Sequence, residues 1–228
     1  RRLPDVMRGR VVRGEQLDRI VPAPREPVDL LVGHPLRQHA QRVVLPEEAF
    51  AVELPVGRGE RLELPDGDFL DLVYVGPAEA PTVLLLHGLE GSVDSPYARA
   101  LLAAVAANGW HGVLMHFRGC SGELNRLARS YHSGDTGDVA SVAAHLSRTS
   151  PALAAVGYSL GGNVLLKYLG ECGTASPICA AAAVSVPFDL SVAADTLSRG
   201  FSRLYQRRLV DSLKDKARRK FARMPAPI

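Results

Sequence analysis

The sequence predicts an α/β fold with a mostly parallel sheet. Three observations carry this reading. Apolar runs of strand length, such as PTVLLLHG and ALAAVGYS, alternate along the chain with stretches of helical periodicity. Those runs are apolar throughout, as strands buried on both faces are. Glycine, proline and serine punctuate the junctions. Strand–helix alternation of this kind builds a parallel sheet with helices packed on it.

Each element follows in order. RLELPDGDFLDLVYV alternates apolar and polar residues around Pro-Asp-Gly, which predicts a hairpin. PTVLLLHG is a buried strand ended by glycine. SPYARALLAAVAANG is a helix, with Ser95 expected to cap it, Pro96 at its first position and Gly109 at its end. WHGVLMHF is a strand, DTGDVASVAAHLSR a helix, ALAAVGYS a strand, GGNVLLKYLGE a helix and CAAAAVSV a strand. LSRGFSRLYQRRLVDSLKDKARRKFAR reads as one or two basic amphipathic helices. Residues 1–50 are rich in Arg and Pro and lack a sustained period. They are expected to form a floppy or poorly packed extension, and residues 51–228 the core domain.

Bulk properties exclude several function classes. A chain of 228 residues with 46% hydrophobic residues can bury a full core. A net charge of +3 gives no reason to expect a nucleic-acid partner, and Glu15, Asp18, Glu26 and Asp29 interrupt the positive charge of the N-terminal region. Cys120, Cys172 and Cys179 are odd in number and form no C-x-x-C pair, so neither a disulfide scaffold nor a metal site is expected. A reduced, cytoplasmic setting fits. RRLPDVMRGR has no apolar core of a signal peptide, and ICAAAAVSV is too short to span a bilayer. Membrane contact is not expected, and a solvated face is the reading of the basic helix.

Gly157-Tyr158-Ser159-Leu160-Gly161 fits G-x-S-x-G, with an apolar strand entering it and an amphipathic helix leaving it. A sharp strand-to-helix turn strains the serine backbone and crowds its neighbours, so small residues must flank it. The helix then aims its first amides at the hydroxyl, and the N–H of Leu160 can meet a developing oxyanion. The other reading is a Gly-rich turn that only permits tight packing. His87-Gly88-Leu89-Glu90-Gly91 follows the strand VLLL and can supply a second donor, the N–H of Leu89. His87 is read as a packing or hydrogen-bonding residue there. No Gly-Lys-Ser/Thr follows, which disfavours a phosphate loop. Arg118 is expected in a structural ion pair or loop clamp, Cys120 as a small buried thiol and Asp189 as a helix cap or loop residue.

LELPDGDFLDL, HGLEGSVDSPYARAL, GWHGVLMHFRGCSGE, YHSGDTGD, AVGYSLGGN and GFSRLYQRRL together resemble the YheT-like hydrolases. This family has the α/β-hydrolase fold and is grouped with carboxylesterases and eukaryotic ester hydrolases. The likeness runs in order over about residues 60–222. It implies Ser159 as nucleophile, and an oxyanion hole from the HGLEG loop with Leu160. It also implies a small-molecule ester of short to medium acyl chain as substrate, with no metal or organic cofactor.

All seven histidines (His34, His39, His87, His111, His116, His132 and His145) precede Ser159. The fold's order is serine, then acid, then histidine. The expectation is therefore an incomplete chain, weakly active by itself, with acid and base on strands beyond Ile228. CAAAAVSV would then be an exposed sheet edge. An inactive member that keeps the fold for binding, and recruitment of an upstream histidine such as His132, are the rivals.

Overall fold

The computed structural model describes residues 26–30, 41–45 and 58–225. Of the extension expected over residues 1–50 it describes two strands, β1 (Glu26–Leu30) and β2 (Gln41–Leu45), paired antiparallel with Val28 opposite Val43. The rest of that expectation lies outside the described residues.

The hairpin around Pro-Asp-Gly forms as expected. β3 (Arg58–Glu63) runs antiparallel to β4 (Phe69–Val75), and Gly67 takes the left-handed turn position at φ 83°. Next come β5 (Thr82–Leu86), α1 (Pro96–Ala107), β6 (His111–Met115) and α2 (Gly137–Leu146). β7 (Leu153–Tyr158), α3 (Leu160–Cys172) and β8 (Ile178–Val184) follow, with a short 3-10 turn before β8. The basic segment makes one helix, α5 (Ser202–Phe221); a shorter helix not anticipated from the sequence, α4 (Leu190–Leu197, LSVAADTL), precedes it, and Gly200, whose φ is 53°, lies between the two.

Six strands form one mixed sheet in the order β3-β4-β6-β5-β7-β8, with β5, β6, β7 and β8 mutually parallel. The chain leaves β5 for β6 on one side and returns to β7 on the other. The carboxyl ends of β5 and β7 therefore flank the point where strand order reverses, where open α/β sheets bind ligands.

The alternation of β5 sets the layers. Leu85 packs with Ala98 and Leu102 of α1 on one face. Leu84 and Leu86 pack with Val139 and Val142 of α2 and with Val164 and Leu165 of α3 on the other. All three leucines are fully buried, each worth about 1.5–3 kcal/mol. Pro96 opens α1 as expected, but Ser95 makes no capping hydrogen bond. Its Oγ is turned back to accept from the Ser92 N–H at 3.0 Å, within the preceding turn.

Arg118 is buried and paired, as its sequence context suggests. Its guanidinium donates to both carboxylate oxygens of Asp138 at 2.7 and 2.8 Å and to Asp68 at 3.0 Å. Asp68 is fully buried and also accepts from Asn125 and from the Phe69 and Arg126 amides. Burial alone would raise this carboxyl, but those donors hold it below the usual range. The cluster pins the hairpin to the loop after β6. No described helix is long and apolar enough to cross a membrane.

Candidate active site

Ser159 stands between β7 and α3 at φ 51°, ψ −115°, a combination that only glycine takes at ease. Its N–H donates to the Val184 carbonyl at 2.8 Å, so β8 holds the bend from one side. Its carbonyl starts α3 by accepting from Asn163 at 3.1 Å. Its hydroxyl does not cap the helix, and the residue is partly exposed. The flanking glycines are sterically required. A Cβ on Gly157 would come 2.5 Å from the Gly161 carbonyl oxygen, and one on Gly161 would come 2.4 Å from that of Leu86. The turn can thus close only if both positions lack a side chain.

The HGLEG segment lies against this bend. A methyl group on Gly88 would sit 3.5 Å from Ser159 Cβ. Gly88 to Gly91 form a turn closed by the Gly91 N–H donating to the Gly88 carbonyl at 3.0 Å, with Glu90 left-handed at φ 55°. Leu89 and Leu160 both pack on the main core. Leu160 opens α3, so its amide is among the first of the helix and has no intrahelical acceptor. The structure therefore brings together the segments that carry Ser159, Leu89 and Leu160.

The turn is held on every side. Gly88 N–H donates to Tyr97 Oη at 2.9 Å. His87 is fully buried; its Nε2 accepts from the Phe117 N–H at 3.0 Å. Its Nδ1 is therefore the protonated nitrogen, donating to the Gly88 carbonyl at 2.7 Å. Since carbonyl and amide of one peptide unit point oppositely, this bond also fixes the direction of the Leu89 N–H. Burial pushes the His87 imidazole down to about 4, keeping it neutral. His116 accepts from the Val93 N–H through Nε2 and meets the Asp71 carbonyl through Nδ1, each at 3.2 Å. Both histidines nearest the turn are thus committed at both ring nitrogens.

Of the remaining described histidines, His111 begins β6, at the opposite end of the parallel strands from Ser159, and meets Thr82 Oγ1. His145 lies in the last turn of α2, with its Nε2 3.5 Å from Glu60 Oε1. His132 is exposed and accepts from the Gly134 N–H. His34 and His39 lie outside the described residues. Asp189 caps α4, accepting from the Ser191 and Val192 amides at 2.9 and 3.0 Å.

Sequence reasoning missed the far side of the turn. Lys216 of α5 donates to Glu90 Oε1 at 2.7 Å, and Ser212 donates to Glu90 Oε2 at 2.7 Å. Tyr131 Oη donates to Glu90 Oε1 at 2.7 Å and accepts the Glu90 N–H at 2.9 Å. Cys120 is half-buried, with its Sγ 3.2 Å from Lys216 Nζ, rather than lost in the core. A cavity of about 350 Å³ opens here, lined by Glu90, His116, Cys120, Lys216 and Arg219 but not by Ser159. The missed signal was the i, i+4 spacing of Ser212, Lys216 and Lys220, which puts three polar groups on one helix face.

A left-handed serine between strand and helix, beside a glycine turn at the strand-order reversal, is the architecture of an α/β hydrolase. The family model described as the alpha/beta hydrolase fold matches residues 81–228, and the chain belongs to that family. Within it the chain is YheT-like. It is 50% identical over 175 residues to the Escherichia coli protein named "Putative esterase YheT", covering 74% of this chain and 52% of that one. It is 31% identical over 153 residues to mouse phospholipase ABHD3, covering 62% of this chain and 37% of that one. The chain thus spans about half the length of the first relative and about a third of the second. The Pyrococcus furiosus esterase Pf2001 shares the fold, with a TM-score of 0.54 at 18% identity over 86% of this chain and 69% of that one.

Proposed function

We propose that this chain is a serine hydrolase of carboxylic esters, with Ser159 as nucleophile and the N–H groups of Leu89 and Leu160 as oxyanion donors. The observation that carries the reading is the strained bend at Ser159 with the Gly88–Gly91 turn packed against it. The names of the relatives support the substrate class, since one is named an esterase and the other a phospholipase, and phospholipids carry carboxylic ester bonds.

In this reading Ser159 Oγ attacks the ester carbonyl and gives up its proton to a base. The carbonyl oxygen becomes an oxyanion between the two amides. The C–O bond to the alcohol then breaks, the alcohol leaves with the proton, and an acyl-serine remains. Water repeats the steps and releases the acid. A short to medium acyl chain is the substrate the family resemblance favours, and a cytoplasmic setting suits three free thiols.

The general base and its acid are assigned to sequence outside these 228 residues. The committed nitrogens of His87 and His116 support this, as does the serine–acid–histidine order of the fold. Without the base the hydroxyl stays protonated and weakly nucleophilic. The test is labelling of Ser159 by a fluorophosphonate, with Ser159→Ala as control. Slow labelling, accelerated by a C-terminal extension that carries a histidine, is expected. Fast labelling of the 228-residue chain would instead favour an upstream base. No labelling with or without the extension would favour an inactive member of the family.

A further inference from the structure

We infer that Lys216, acting through Glu90, is a positioning residue for the oxyanion turn, so that the docking of α5 sets the geometry at Ser159. This rests on the hydrolase reading for its catalytic consequence, but its structural content stands on the contacts alone.

Glu90 is the residue that most needs an explanation in the turn. It is left-handed at φ 55° without being glycine, a conformation that carries strain. The local contact there is the bond that closes the turn, from the Gly91 N–H to the Gly88 carbonyl. What holds its amide and side chain is distant in sequence: Tyr131 at both its amide and its carboxylate, and Ser212 and Lys216 at the carboxylate. The Glu90 side chain is 7% exposed, and a buried carboxylate is stable only when paired and hydrogen-bonded. These charge-assisted bonds supply that pairing.

The consequence reaches the donor. The peptide joining Gly88 and Leu89 is fixed by the His87 imidazole and the Gly91 amide at its carbonyl. The next peptide, joining Leu89 and Glu90, is fixed by Tyr131 at its N–H. Glu90 is the residue through which α5 pulls on both. Lys216 also lies over the Tyr131 ring at 5.6 Å, so one ammonium contacts both the carboxylate and its Tyr131 partner. Releasing Lys216 frees Glu90 to return to the right-handed region, and the turn then shifts relative to Ser159. The direction of the Leu89 N–H moves with it.

The experiment uses the 228-residue chain with Lys216→Met, Lys216→Arg and Glu90→Gln, and reads two signals. The first is amide hydrogen exchange at Glu90 and Gly91. Lys216→Met and Glu90→Gln are expected to speed exchange there about tenfold or more while β5 and β7 stay protected, and Lys216→Arg to keep most of the protection. Unchanged exchange at Glu90 and Gly91 would overturn the inference. The second is the fluorophosphonate labelling rate of Ser159, expected to fall about 100-fold in Lys216→Met and to recover in Lys216→Arg. Altered exchange with undiminished labelling would overturn the link to Ser159. Altered exchange in a chain whose Ser159 labels neither alone nor with the histidine-bearing C-terminal extension would uphold the clamp and sink the hydrolase reading instead. Should Lys216→Met unfold, Glu90→Gln keeps the volume and removes only the charge, and decides the same question.

Discussion

Ser159 holds its hydroxyl at the cost of its own backbone. Strain at such a conformation is about 1–3 kcal/mol, and glycine would not carry it. Ser159→Gly is therefore expected to raise stability by about 1 kcal/mol in chemical denaturation while abolishing fluorophosphonate labelling. Loss of stability would mean that the bend is relaxed in solution. Gly161→Ala should do the opposite, costing about 2 kcal/mol or preventing folding, because its Cβ would meet the Leu86 carbonyl at 2.4 Å. His87 gives a pH prediction. Its folded value, pushed down to about 4, lies below its ordinary 6.5. Between those values the unfolded chain takes up a proton that the folded chain refuses. Stability is thus full above pH 6.5, falls as pH drops through the window, and levels off below about 4, a loss of about 3 kcal/mol from His87. Burial lowers His116 and His111 as well, with the same sign. Urea titrations at stepped pH measure the slope, and an NMR titration of His87 near 6.5 would remove its cause.

The elements differ in how openly the sequence announces them. α1 and α3 are plain from their period and their punctuation, and the hairpin from Pro-Asp-Gly. The serine bend was legible because sterics dictate its residues locally, Gly157 and Gly161 flanking Ser159. The clamp on Glu90 was not, because Lys216 lies 126 positions away and only the folded chain sets α5 over the turn. The Ser95 cap failed for a related reason, since its hydroxyl had a nearer donor in Ser92. Asp189 did what a pre-helical aspartate does. Asp189→Ala is expected to cost about 1 kcal/mol and to fray α4 while leaving the β5–β7 amides protected, as hydrogen exchange can read.

The whole sheet has an asymmetry between its two borders. β3 ends one side as an alternating strand whose Arg61 is paired with Asp71 and Glu123. Among the described residues β8 ends the other with a hydrogen-bonded neighbour on one side only, β1 coming near it without pairing, and Cys179, Ala180 and Ala181 are exposed. The expected apolar border is present among the described residues. An apolar strand at a sheet border invites pairing with a second copy. The 228-residue chain should accordingly self-associate at micromolar concentration in light scattering, and Ala181→Lys should reduce that association. A monomer that stays so on concentration would count against it. The fold class was legible because alternation and apolar runs are properties of the chain as a whole. How the basic segment lies on that fold was not, because its charges look solvated until Lys216 and Lys220 turn inward.

Lys220 extends that last point. It is buried, with its ammonium donating to Asn125 Oδ1 at 2.8 Å and the Arg129 carbonyl at 2.6 Å, and burial lowers it from its ordinary value. Lys214, six residues earlier on the same helix, is exposed. An amine-reactive ester added to the native protein should therefore modify Lys214 quickly and spare Lys220, and trypsin should hesitate at the second site. The pair works as a built-in gauge: the ratio of their modification reports how tightly the last helix is seated.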